Sequence, residues 1–531
     1  MTELTTKVAP ATGGSTDVSV VRTVLVACAG LFVAFAPITM LSVSLSSIAR
    51  STGADTAGLQ WVISLLVIPM AALILSFGVL GDLYGRRRVF QAGLLFCALG
   101  GSTSFGAGWL DGSASLHLLW LGQLISGIGA AAIIPSSLAL ISAAETDFRK
   151  RSRWIGLWAA TMVLSLAVGG FIGGAVLEFA SWRWIFLVII PLALIVVVIA
   201  QRAMAESSAA QGRRADLAGQ ALAIVAIVGI VDGVIEGGSA GFGSAHSWLA
   251  IAIGLIALGG FIAVELQSDS PMLDMKLFSN PVFAVAAGAA AVAMFAYLGL
   301  VFLLSIFLGG AQHLDALTMA ERLVFLFLAC AIGSQLAGVL IHRLGTGVVL
   351  VTGLVVLSLG FVALSSVELH SSLWSVGWRL AVAGFGMGIV LPTVTSAAVN
   401  AVPLHQAGMA SAGINAIRQF GGALGPAVFG VLLVSWANDA ATENISAIAD
   451  PGDRQRGADL LADFGVQRGG AMAHGAAPGS PVAEAFGLAQ TTALHNTALV
   501  GAAIALLVAV VSGAVFARIA IGAKRNQAAA R

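Results

Sequence analysis

The chain has 531 residues, of which 58% are hydrophobic and 10% charged, with a mean hydropathy of +0.98 and a formal net charge of +1. Soluble domains carry about 25% charged residues, so this chain holds too little charge to coat a water-soluble fold, and most of it is expected in lipid. The near-neutral balance argues against a nucleic-acid partner, and Cys28, Cys97 and Cys330, all in apolar runs, imply buried thiols and no disulfide framework.

In chain order, residues 1–21 read as a polar cytoplasmic tail and not a cleaved leader. Runs long enough to cross a bilayer at about 20 residues each follow near 22–46, 58–80, 89–108, 116–143, 153–177 and 184–201. Two more lie near 217–236 and 248–266. The last six lie near 282–309, 321–341, 347–367, 374–400, 408–435 and 494–517. The expected fold is therefore all-α and integral to the membrane, with about fourteen transmembrane helices. Its parts are an N-terminal bundle (22–203), two linking helices (204–275), a C-terminal bundle (276–517) and a cytoplasmic tail (518–531). The segment 436–493, rich in Ala, Gly and Asp, is expected as a largely irregular extracellular loop.

With the N-terminus inside, the inner loops and tails hold roughly 18 of the 26 Lys and Arg residues, as the positive-inside rule requires. The densest group, Arg86–Arg87–Arg88, pins the second and third spans to the cytoplasmic face.

The first six spans are echoed in the last six. GVLGDLYG (78–85) recurs as GVLIHRLG (338–345); Gly127, Gly129 and Pro135 recur as Gly384, Gly386 and Pro392; GGFIGG (169–174) recurs as GGALGP (421–426). Three matches in one order imply two six-helix bundles in parallel repeat, an arrangement that encloses a central cavity and rocks around it. Glycines at 127, 169, 170, 173 and 174 are read as close-packing positions, because small residues let membrane helices approach.

The chain resembles the major facilitator superfamily, and more narrowly its fourteen-helix drug:proton antiporter branch. The resemblance rests on Gly78, Leu80, Asp82, Gly85, Arg86 and Arg87 between spans 2 and 3, on Trp61, on WRWIFL (182–187) with Pro191, and on GMASAGINAIRQFGGALG (408–425). It implies a multidrug or small-molecule exporter of the cell membrane that works by alternating access. It also implies a gate built from Gly78, Asp82, Gly85, Arg86 and Arg87. Physically, Asp82 at a helix end beside two guanidiniums can pair with them or with a helix N-terminus of the facing bundle; the plainer reading is a solvated loop held by its charges.

The pattern breaks where that branch carries its coupling charges. The usual aspartate of span 1 is Pro37, the usual asparagine is Ser42, the arginine of span 4 is Gln123, and the Gly-Pro of span 5 is Gly169–Gly170. An ionisable group in a membrane is costly and kept for a task, so losing both argues against the usual proton coupling. Candidates to replace them are Arg418 in span 13, Asp232 in span 7 and Arg379 in span 12. Each also has a structural reading, as a backbone-paired arginine, a snorkelling carboxylate and an interface anchor respectively. Glu178, Glu236 and Glu265 are read as boundary residues.

Expected cavity-lining residues are Thr39, Ser42, Ser44, Gln123, Ser126, Thr161, Ser165, Asn415 and Gln419. They are neutral, which favours neutral or amphipathic solutes. The alternatives are an uncoupled facilitator, a lipid or amphiphile exporter, and a non-transporting membrane sensor. No P-loop, HExxH or CxxC pattern occurs, so no enzymatic activity, cofactor or metal is expected, and the chain is taken as a monomer whose partners are the bilayer and a small amphipathic solute, with a proton added only where a relocated site restores coupling.

Overall fold

The computed structural model describes residues 17–145, 147–208, 216–239, 241, 243–268, 271–403 and 406–529. Its helices in chain order are α1 (Asp17–Thr52), α2 (Thr56–Tyr84), α3 (Arg86–Ala107), α4 (Gly112–Ala144), α5 (Phe148–Phe179), α6 (Ile185–Ala203), α7 (Leu217–Ser239) and α8 (Ala245–Gln267). They continue with α9 (Pro281–Ile306), α10 (Ala316–Leu344), α11 (Thr346–Leu364), α12 (Leu373–Asn400), α13 (Ala407–Ser446), α14 (Pro451–Ala476) and α15 (Pro481–Ala529). Fourteen of these, all but α14, contain spans long and apolar enough to cross a bilayer, and no strand occurs among the described residues. The fourteen-span expectation holds, with helices that extend past the apolar runs because their end turns are capped by polar side chains. Asp55 accepts from Gly58 N at the start of α2, Asp315 from Thr318 N at the start of α10, and Asn280 from Val282 N at the start of α9.

One expectation is overturned. Segment 436–493 is not irregular: α13 runs on to Ser446, α14 fills Pro451–Ala476 and α15 begins at Pro481. Its low hydropathy hid a sequence of good helix formers, opened by Pro451 in the first turn and by Asp450, which caps Asp453 N. Gly465, at φ 67° and ψ 177°, breaks the helical backbone inside α14 and kinks it.

Glycine contacts reveal how the two halves mirror one another. A Cβ on Gly169 would lie 2.5 Å from Ala36 O, and one on Gly173 3.0 Å from Met40 Cα, so these two seat α5 on α1. The other two face the second half: a Cβ on Gly174 would lie 2.8 Å from Leu317 Cα, and one on Gly170 3.8 Å from Ala320 Cβ, both on α10. The repeat positions behave alike. Gly421 and Gly425 seat α13 on α9, where added Cβ atoms would meet Ala291 O at 2.0 Å and Phe295 O at 2.3 Å. A Cβ on Gly422 would meet Leu298 and Met294 of α9 at 3.0 Å and also reach Val67 of α2 at 3.7 Å. The seams between halves are thus α5 with α10 and α13 with α2. Helix α7 lies along the second seam, since Gln220 Nε2 donates to Ala72 O of α2 (2.8 Å) and Gly238 abuts Val431 of α13. Helix α8 covers α7 and presents Leu249, Ile253, Leu255 and Ile256 outward. This is what lipid-facing residues should look like.

Candidate functional site

Asp82 ends α2 at the arginine-rich face of the molecule. Its Oδ1 accepts from Arg86 Nε (3.0 Å) and Nη2 (2.8 Å). The turn between α2 and α3 passes through Gly85 at φ 105°, a backbone region that L side chains rarely adopt. A Cβ there would also fall 2.7 Å from the Glu206 carboxyl carbon. Glu206 Oε1 accepts from Arg87 N (2.9 Å) and Ser207 N (3.0 Å), while Ser207 O accepts from Arg86 N (2.9 Å). The segment after α6 therefore satisfies the free amides that open α3, and its carboxylate complements the positive end of that helix. Arg87 Nη1 closes the arrangement by donating to Met204 O (3.1 Å). Arg88 is exposed, with Nε 3.9 Å from Glu206 Oε2. Gly78, Asp82 and Arg86 line a cavity of about 330 Å³, whose other walls are α4 (Ile134, Pro135, Ser142), Trp158 of α5, Pro271 and Met272, and the first turns of α13 (Gly408, Ser411, Asn415). The cavity is bounded by both halves, and in this conformation Asp82 pairs with Arg86 on its own side of it.

Asn415 links this cavity to the charge on α13. Its Oδ1 accepts from Arg418 Nη2 (2.6 Å), and Arg418 is 8% exposed. Arg418 Nε and both amide atoms of the neighbouring Gln419 are buried without a partner, and no carboxylate pairs with Arg418 among the described residues. Buried polar atoms in native folds are rarely left so, and a run of three on one turn marks a place for water or a polar solute.

Other residues singled out from the sequence are placed elsewhere. Thr39 Oγ1 donates across to Leu166 O of α5 (2.7 Å), beside Gly169. Ser42, Ser44, Thr161 and Ser165 each return a hydrogen bond to the carbonyl one turn back in their own helix, the usual way a lone hydroxyl is satisfied in lipid. Gln123 and Ser126 turn to α3 instead of the cavity. Gln123 Nε2 donates to Ser104 Oγ (2.9 Å), and Ser126 Oγ fills the space a Cβ on Gly100 would need. Gly127 packs on Leu66 O of α2. Asp232, inside α7, pairs with His246 in the first turn of α8 (2.9 Å), away from the cavity. Arg379 Nε donates to Ala363 O (3.0 Å), and its guanidinium covers Trp378 at 4.7 Å, tying α12 to the end of α11.

At the opposite end from Asp82 the halves touch. Gln60, 2% exposed on α2, donates from Nε2 to Pro426 O (3.1 Å) and Ala427 O (2.8 Å) of α13. Arg322 of α10 reaches Gln312, whose Nε2 donates to Leu369 O (2.8 Å). Helix α14 lies over this end. Its Gln467 and Arg468 line a cavity of about 310 Å³ with Ser46, Arg50, Asp55 and Gly309, and its His474 stacks on His313 with ring centroids 3.6 Å apart. Burial, then the adjoining His474 and Arg50, push His313 down to about 4. Sequence reasoning missed Glu206, Gln60 and the lid formed by α14. A lone acid in a basic loop and a lone amide in an apolar span were the available signals for the first two.

Residues 27–426 match the Major Facilitator Superfamily. The chain is 34% identical over 436 residues to the Multidrug resistance protein Stp of Mycobacterium tuberculosis (strain CDC 1551 / Oshkosh), covering 82% of this chain and 80% of that protein. It is 28% identical to the Methylenomycin A resistance protein of Bacillus subtilis (strain 168), covering 79% and 89%. Among solved structures, a bacterial homolog to the human lysosomal transporter Spinster, inward-facing and unoccupied, superposes with a TM-score of 0.61 at 16% identity, covering 93% of this chain and 98% of that one. At that identity the likeness is one of fold.

Proposed function

The chain belongs to the Major Facilitator Superfamily, and on that premise we propose that it exports small amphipathic molecules, drugs among them, by alternating access across the cell membrane. The fold is that of two six-helix bundles in parallel repeat with two added helices, and the relatives named above are resistance proteins, not enzymes. We assign it no catalytic step. Both termini and the Asp82 end face the cytoplasm, since the arginine-rich turns lie there.

One observation carries this reading. The cavity of about 330 Å³ lies between the halves at the arginine-rich end, while Gln60 and Gly174 join the halves at the other. That is the geometry of a carrier loading from the cytoplasm. Gly78, Asp82, Gly85, Arg86 and Arg87 act as its gate, breaking and remaking contact with α13 as the halves rock. Arg418, Asn415 and Gln419 form the polar wall that the solute meets.

Coupling is the finer point. The acid usual in span 1 is Pro37 and the base usual in span 4 is Gln123, so export does not draw on a proton through that pair. This favours the second reading, a facilitator that moves amphiphiles down their gradient. The test is efflux of a fluorescent amphiphile from liposomes carrying purified protein, with and without an imposed pH gradient. Efflux above that of empty liposomes and indifferent to the gradient supports facilitated export. Acceleration by the gradient that disappears in Arg418→Ala assigns coupling to α13. No protein-dependent efflux of any amphiphile overturns the export reading.

A further inference from the structure

The two linking helices meet at a pair of acids. Glu265, near the end of α8, is 2% exposed. Its Oε2 accepts from Leu273 N (3.1 Å), and its Oε1 is buried with no partner. Asp216, just before α7, uses Oδ1 to accept from Gly219 N (2.7 Å), and its Oδ2 is likewise buried without a partner. The two orphaned oxygens border one gap: a Cβ on Gly219 would lie 2.8 Å from Asp216 Oδ2 and 3.0 Å from Glu265 Oε1. The other charges nearby are Asp274, whose Oδ1 accepts from Lys276 N (2.9 Å), and Lys276, which is exposed. No salt bridge to Asp216 or Glu265 is present among the described residues. Arg213 and Arg214 lie outside the described residues.

Two carboxylates whose buried, unpartnered oxygens flank the same spot beside Gly219 cannot both ionise without strong repulsion. One proton placed between them removes the repulsion and gives each orphaned oxygen a partner, one as donor and one as acceptor. We propose that Asp216 and Glu265 bind a single shared proton, and that this proton holds the segment 271–275 against α13.

The second clause follows from what Glu265 holds. Leu273, whose amide it accepts, sits where a Cβ on Gly413 of α13 would lie 2.4 Å from Leu273 Cδ1. Asp274 N donates to Met409 Sδ of α13 (3.4 Å). Pro271 and Met272 form part of the wall of the central cavity. With the proton bound, α7, α8 and this segment form one clamp on the first turns of α13. When the proton leaves for cytoplasmic water, the two charges push α7 from α8, Glu265 shifts, and the clamp loosens at the cavity mouth. The site lies on helices outside the two bundles and does not depend on the export reading.

The experiment uses full-length protein in lipid nanodiscs and infrared difference spectroscopy across a pH titration. The expected result is one protonated-carboxyl stretching band that disappears on alkalinisation and is absent in both Glu265→Gln and Asp216→Asn. In a Ser411→Cys background, maleimide labelling at the cavity, divided at each pH by the rate for the same protein unfolded so that thiolate ionisation cancels, should rise roughly tenfold as the band is lost, the ratio that one pK unit of coupling represents. In Glu265→Gln this normalised labelling should stay low at every pH. The proposal is overturned if the wild-type protein has no such band, if the band survives either substitution, or if sodium or potassium at constant pH displaces it, which would make this a cation site. A band that appears only when Arg213 and Arg214 are replaced would likewise refute it, by showing an ion pair in the proton's place. Because the band is read without transport, failure of the export reading leaves this test intact.

Discussion

Gln60 makes the proposed closed end testable. Its side chain donates to Pro426 O at 3.1 Å and Ala427 O at 2.8 Å, across the seam between α2 and α13. Interhelical hydrogen bonds in membrane proteins average about 0.6 kcal/mol each, so Gln60→Leu removes about 1.2 kcal/mol from the closed seam. That corresponds to a roughly eightfold increase in the population with this end parted. Gly430→Ala should act in the same direction by sterics, since its Cβ would fall 2.0 Å from Gln60 Nε2 and force the amide out of place. Val434 lines a cavity of about 260 Å³ beside this seam, and the native Cys28, Cys97 and Cys330 are buried, so a Val434→Cys protein has a low labelling background. The labelling rate with an impermeant maleimide should rise roughly eightfold in Gln60→Leu and rise also in Gly430→Ala. Unchanged rates in both, with thermal stability unaltered, would refute the assignment of this seam as the gate at the end opposite Asp82.

Gly85→Ala combines a backbone at φ 105° with a collision at 2.7 Å; a left-handed conformation alone costs about 1–2 kcal/mol, so the melting temperature should fall, and Glu206→Ala should restore part of it by removing the obstacle. Asp82→Asn should slow efflux in liposomes while leaving the amount of protein in the membrane unchanged, since a partly exposed i,i+4 pair contributes about 0–1 kcal/mol to stability; full activity would remove Asp82 from the gate. His313 titrates at about 4 in the folded protein against an ordinary 6.5, so the folded state refuses a proton that an opened state accepts. The hold of the His313–His474 stack on α14 should therefore be complete above about pH 7 and weaken steadily from pH 6.5 toward pH 4. Hydrogen exchange across α14 at neutral and acid pH should show this loss of protection, and His313→Gln should flatten it.

The spans, their number and the paired halves could be read from the sequence, because hydropathy over about 20 residues reports the solvent and lipid is an unambiguous one. The turn at Asp82, Gly85 and Arg86 was equally legible, since its residues are adjacent in the chain and pair within one turn. Segment 436–493 was misread for the opposite reason: helix α14 is held in place by packing, and its sequence shows neither the hydropathy of a span nor a strong apolar stripe.

What the sequence by itself determined is which segments enter the bilayer, which end carries the arginines, and which family the chain resembles. Only the tertiary structure decided which polar side chains face the cavity. Gln123 and Ser126 turned to α3, and the hydroxyls of α1 and α5 were absorbed by nearby carbonyls, because in lipid a polar group is satisfied by whatever lies within reach. Among the described residues, Ser136 in the cavity wall and Arg418 and Gln419, one turn beyond the cavity-lining Asn415, keep buried polar atoms without a partner. The partners that matter most, Glu206 on the amides of α3, Gln60 on the carbonyls of α13 and Asp216 across from Glu265, are separated by 119, 366 and 49 residues of chain. No local pattern records such distances, because helix rotation about its own axis, and so the direction of each polar group, is set by the close approach of neighbouring backbones at glycines.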